Sequence, residues 1–154
     1  MIKTALKKLS RGFTLNGRGF TLIELLIVIA ILGILAAAVL VAINPGKRTR
    51  QAQDAKRKND IGALATEVQG YYTSPGSGLY PSTLSVLVTG SYLKQMPQDP
   101  TGNADYGYSV NAATTEAAVW ATLAEPTGGA APRLWCFQST SGKAQELTVG
   151  GCTP

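Results

Sequence analysis

From Phe20 to Ile43 the sequence runs FTLIELLIVIAILGILAAAVLVAI, and its only charge is Glu24. As a helix this stretch spans roughly 36 Å, enough to cross a hydrocarbon core of about 30 Å. On its N-terminal side Lys3, Lys7, Lys8, Arg11 and Arg18 stand without one Asp or Glu. The positive-inside rule keeps that side cytoplasmic and sends the residues after 43 outward. A cleavable secretory signal has a shorter apolar region that ends in its small-residue cut site. Here the small residue Gly19 comes before the run, so a cut there leaves the run attached. Composition alone is satisfied by a plain single-pass anchor.

Glu24 argues for more than an anchor. A carboxylate within a membrane span costs several kcal/mol and usually marks function. A lone spanning helix offers it no partner. Cleavage after Gly19 creates an α-amine on Phe20, one helical turn away, that can satisfy Glu24 in the same chain or in a packed neighbour. Between neighbours, that pairing fixes the axial stagger of helices, as buried polar groups fix coiled-coil register. The reading is an assembling helix.

The stretch Gly19-Phe20-Thr21-Leu22-Ile23-Glu24, followed by an apolar helix, resembles the class III signal of type IV pilins and type II secretion pseudopilins. The resemblance implies cleavage between Gly19 and Phe20 by a prepilin peptidase, N-methylation of Phe20, and Glu24 as the residue that recruits and aligns subunits. It also implies an inner-membrane assembly platform with its own ATPase. The leader holds a near-repeat, Arg11-Gly12-Phe13-Thr14-Leu15. A cut after Gly12 would put Gly17, not an acid, fifth from the new end, so the second copy is the site.

Gly33 interrupts the apolar run at about 1 kcal/mol relative to Ala, or permits close helix packing in a membrane. Asn44-Pro45-Gly46 is the stronger interruption, because Pro45 lacks a backbone donor and clashes with the preceding turn. The family resemblance reads Gly33 and Pro45 as helix breaks that loosen on assembly; plain packing explains Gly33 equally well. From Lys47 to about Tyr72 a helical stripe resumes through Ile61, Leu64, Val68 and Tyr71 or Tyr72. Lys47, Arg48, Arg50, Lys56, Arg57 and Lys58 face only Asp54, a run suited to lipid headgroups or neighbouring subunits. No aromatic residues interleave it as a nucleic-acid stacking platform would require.

Residues 73–105 are rich in Pro and Gly, with a short helix expected within Ser82 to Leu93. Tyr80-Pro81, Leu84, Leu87, Tyr92-Leu93-Lys94, Pro97, Asp99-Pro100 and Tyr106 resemble the loop between helix and sheet in major pseudopilins. Related pseudopilins can hold calcium, which needs six or more oxygens and usually several carboxylates. Asp99 and Asp105 read better as loop and turn residues, so no calcium ligand, and no cofactor, is assigned. Strands are expected at Tyr106–Val110, Ala118–Ala124, Leu134–Ser139 and Glu146–Val149. Trp120, Trp135 and Phe137 read as packing residues. Cys136 and Cys152, both exported, are expected to form a disulfide like the C-terminal loop of many type IV pilins, worth on the order of 3 kcal/mol.

The chain contains no His, which removes the commonest general base and metal ligand. No nucleophile motif, phosphate loop or dinucleotide fingerprint is present either. The expected fold is α+β: a long N-terminal helix, transmembrane in one half and amphipathic in the other, packed on a small antiparallel sheet of three or four strands. Its parts are a leader (1–19), an assembly helix (20–43), an amphipathic continuation (44–72) and an exported domain (73–154). The expected role is a non-enzymatic homo-oligomer, a helical filament of pilus or pseudopilus type, lodged in the cytoplasmic membrane before assembly. Alternatives are a minor pilin for DNA uptake or adhesion and, less well supported, a membrane-anchored binding module or enzyme. The formal charge of +5, from 14 basic and 9 acidic residues, belongs to the leader; nine of each remain from Phe20 on. That remainder divides into a basic collar and an acidic head, which favours contact between copies over nucleic acid.

Overall fold

The computed structural model describes residues 19–74, 76–102, 104–130 and 132–154; the basic leader before Gly19, its Gly12 near-repeat and Pro75 lie outside the described residues. The chain divides after Ile43 into two units.

The first unit's helix, α1, spans Leu22–Ile43. Its Leu and Ala residues are good helix formers. The run holds no Ser, Thr, Asp or Asn whose side chain would compete for backbone hydrogen bonds, which offsets the weaker propensity of its Ile and Val. None of its residues is buried, and it is long and apolar enough to cross a membrane. Backbone helicity continues through Gly33, so this glycine does not break the helix here.

In the second unit, α2 spans Pro45–Thr73. Asn44 adopts the left-handed conformation (φ 47°) and caps α2, its Oδ1 accepting from Lys47 N at 3.2 Å. Pro45 follows at the first helical position, where its missing donor costs nothing. The interruption expected at Asn44-Pro45-Gly46 is thus also a helix start. At the far end Gly76 N donates to Tyr71 O, and a Cβ on Gly76 would lie 2.2 Å from Leu79 O. Only glycine permits that turn.

The buried stripe of α2 is Asp54, Arg57, Ile61, Leu64, Ala65 and Val68. Its apolar members pack on Ala117, Val119, Ala121 and Phe137 of the sheet and on Tyr80, Leu84, Leu87 and Tyr106 from the intervening loops. Each fully buried Ile61, Leu64 or Val68 contributes about 1.5–3 kcal/mol by leaving water. The loop helix, α3, is confined to Ser85–Thr89.

Four strands form an antiparallel meander in the order β1 (Gly107–Val110), β2 (Ala117–Leu123), β3 (Arg133–Gln138), β4 (Lys143–Thr148). All four expected strands exist, with shifted ends. The largest shift is β4, which begins at Lys143 because it pairs back on Gln138 across Ser141-Gly142. Trp120 crosses to the face away from α2, opposite Gly107, where a Cβ would come within 2.1 Å of the indole. On that outer face Ala118, Leu134, Cys136 and Cys152 form a second cluster with Trp120 and Leu147.

Candidate functional site

At the start of α1, Thr21 and Glu24 satisfy each other. Thr21 N and Thr21 Oγ1 both donate to Glu24 Oε2 at 2.8 Å, and Glu24 N donates to Thr21 Oγ1 at 3.3 Å. This is a capping box, which answers orphan amides at a helix start. It corrects the expectation that a single helix leaves Glu24 without a partner: Thr-x-x-Glu before an apolar run was the overlooked signal. Glu24 Oε1 has no hydrogen-bond partner among the described residues. Gly19 and Phe20 precede the helix in the open, Phe20 being 91% exposed.

The basic run on α2 is not one uniform surface. Arg57, expected among the contact-making cations, is only 4% exposed. Its Nε and Nη2 grip Asp99 Oδ2 and Oδ1 at 2.6 and 2.9 Å, Nη1 meets Asp54 Oδ1 at 2.7 Å, and Nη2 reaches Thr101 Oγ1. Asp54 also accepts from Ala124 N and Glu125 N at 2.9 and 2.7 Å. Asp99 accepts from Thr101 N and Oγ1. The network therefore ties α2 to the loop before β1 and to the end of β2. The hydrogen bonds from Arg57 hold the Asp99 carboxyl far below its ordinary range, and those to Asp99 push Arg57 up. Asp99 is accordingly more than the turn residue its sequence context suggested; Asp105 is exposed and forms one bridge with Gln98.

Neighbouring cations are also engaged within the subunit. Arg50 pairs with Glu125 at 2.7 Å, and Lys56 pairs with Asp60 at 2.7 Å while donating to Gln98 O. Lys58 Nζ lies 4.6 Å from the centre of the Trp135 ring. The simple opposition of basic collar and acidic head is therefore partly closed inside each copy. Tyr106 completes the Asp60 contact by donating at 2.6 Å; burial first, then that bond, pushes its phenol upward.

On β4, Glu146 Oε1 lies 2.9 Å from Arg133 Nε, a charge contact without hydrogen-bond alignment. Desolvation works to raise the Glu146 carboxyl, but donation from Thr127 Oγ1, Gly128 N and Thr127 N outweighs it and brings it to about 2. Cys136 and Cys152 are bonded, and Gln138 Nε2 donates to Thr153 O at 2.8 Å, so the C-terminal residues strap the outer sheet face. Among the described residues no three His, Cys, Asp or Glu side chains gather as a metal cluster.

The sequence profile of the prokaryotic N-terminal methylation motif matches residues 16–40. The type II secretion system core protein G of Vibrio cholerae is 37% identical over 105 residues, covering 58% of this chain and 68% of that protein. Its counterpart in Pseudomonas aeruginosa is 41% identical over 101 residues, 55% of this chain and 68% of the relative. The chain belongs to the type II secretion system core protein G family. No solved structure matches it.

As a member of the core protein G family it is a structural pseudopilin, and its fold is the α+β pilin arrangement expected from the sequence. The family's signature and the capping box occupy the same residues, Thr21 and Glu24, at the head of the exposed apolar helix. The Cys136–Cys152 bond of the strap is the one expected from the sequence. The Arg57 network is not legible there, because its partners on the loop before β1 and at the end of β2 stand 42 to 71 residues away.

Proposed function

We propose that this chain is cleaved between Gly19 and Phe20 by a prepilin peptidase, methylated at Phe20, and polymerised through α1 into a type II secretion pseudopilus. The observation that carries this reading is α1 itself: 22 residues, wholly exposed, apolar throughout, and headed by a carboxylate with one oxygen uncommitted. An apolar helix with no cover in its own subunit needs either lipid or other helices. A repeated head-to-tail contact that does not close yields an open filament. In that filament Glu24 Oε1 accepts from the Phe20 amine of a neighbour while Oε2 keeps its bonds to Thr21, so the cap and the assembly contact coexist.

Before assembly the subunit sits in the cytoplasmic membrane with its leader inside and residues after Ile43 exported. An assembly platform and its ATPase supply extraction work that this chain has no means to generate. Asn44 and Pro45 separate the membrane helix from the exported unit, and Gly33 gives α1 a place to loosen as it leaves lipid. Calcium and nucleic acid are not assigned to it.

Glu24→Ala tests the assembly role. The variant inserts into membranes at least as well as wild type, since a buried carboxylate is removed, but forms no filament by electron microscopy or subunit cross-linking. Filaments at wild-type abundance would overturn the role given to Glu24.

A further inference from the structure

Six cations crowd residues 47–58, and the structure sorts them. Arg50, Lys56 and Arg57 are paired with carboxylates of their own subunit, and Lys58 rests on Trp135. Lys47 and Arg48 are exposed and touch no carboxylate among the described residues; the Arg48 guanidinium donates to Gln51 Oε1 at 3.3 Å. We propose that Lys47 and Arg48 dock on the anionic phosphodiester headgroups of the membrane that α1 crosses, on its exported side. The inference rests on the membrane-spanning reading of α1 given above.

Three observations support that occupant. The 22 residues of α1 rise about 33 Å, against roughly 30 Å of hydrocarbon, which brings the residues just past Ile43 to headgroup depth. Lys47 and Arg48 follow within about one further turn, and Asn44 anchors the backbone there by accepting from Lys47 N. No acid occurs between Glu24 and Asp54 to neutralise them. The positive-inside rule makes unpaired Lys and Arg uncommon on an exported flank, and a phosphate surface gives this pair the counter-charge its own subunit withholds. Juxtamembrane cations of this kind gain from anionic lipid at short range and lose that gain in salt.

The test reconstitutes the full chain in phosphatidylcholine bilayers with trace spin-labelled phosphatidylglycerol or phosphatidylcholine. The motionally restricted fraction of each label gives their relative association with the protein. Wild type is compared with Lys47→Gln/Arg48→Gln, the leader being the same in both so that its cations contribute equally. The expected result is a fall of about five-fold or more in the phosphatidylglycerol preference, with unchanged circular dichroism. An unchanged preference overturns the proposal and points to carboxylates of a second copy instead. Absence of restricted lipid around either protein would overturn the membrane-spanning reading itself.

Discussion

At Arg57 one guanidinium serves two carboxylates and a hydroxyl while nearly withdrawn from water. Arg57→Ala leaves Asp54 buried without its cation, a change that costs about 3–5 kcal/mol. Urea unfolding of the variant should show that loss, and Arg57→Lys should recover only part of it, since an ammonium cannot grip Asp99 with two parallel bonds. Glu146 gives the molecule an acid dependence. Its carboxyl falls from an ordinary 4.5 to about 2 in the folded state, so its stabilisation is present above pH 4.5 and is lost as pH drops toward 2. Asp99, depressed for a related reason, adds to the same slope. Unfolding measured from pH 6 to 2 should steepen in that window, and Glu146→Gln should flatten it. The sequence displayed Arg57 only as one of a charge run. Linear spacing carries no information about a partner 42 residues away, whereas Thr21 and Glu24 could have been paired from the sequence alone.

The elements themselves were largely legible. Stripes at helical spacing marked α2, and an alternating Ala118–Ala124 marked β2, now Ala117–Leu123. What escaped was decided by long-range packing. Lys143, Gln145 and Glu146 carry no strand pattern, yet pairing with β3 draws Lys143–Thr148 into the sheet. The short helix expected within Ser82–Leu93 is Ser85–Thr89, and it ends where Gly90 and the Tyr92 backbone fold back on Val86 and Leu87. The C-terminal strap has its own consequence. Replacing Cys136 and Cys152 by Ser should cost about 3 kcal/mol through the loop it frees, and should uncover Trp120. In a Trp135→Phe background, indole emission should move to longer wavelength in the Ser variant while far-ultraviolet circular dichroism is retained. No change in emission would mean that the strap does not shelter that face.

Over the whole molecule, charge and apolar surface are divided by segment along the chain. Five cations stand before Gly19, a helix long and apolar enough to cross a membrane follows, and the second unit pairs several of its own charges. The second unit has a covered core between α2 and the sheet and a second, smaller cluster on the outer face. The first unit's α1 has no buried residue, so on the proposed reading it takes its cover from lipid and then from other copies. On the proposed reading, assembly begins with one covalent event, the cut that exposes Phe20. Intact-mass and N-terminal sequence analysis of the chain recovered from its native host tests it most directly. The account predicts a single mature species beginning at N-methylated Phe20 with α1 retained. A chain still beginning at Met1, or one beginning beyond Ile43, would contradict it.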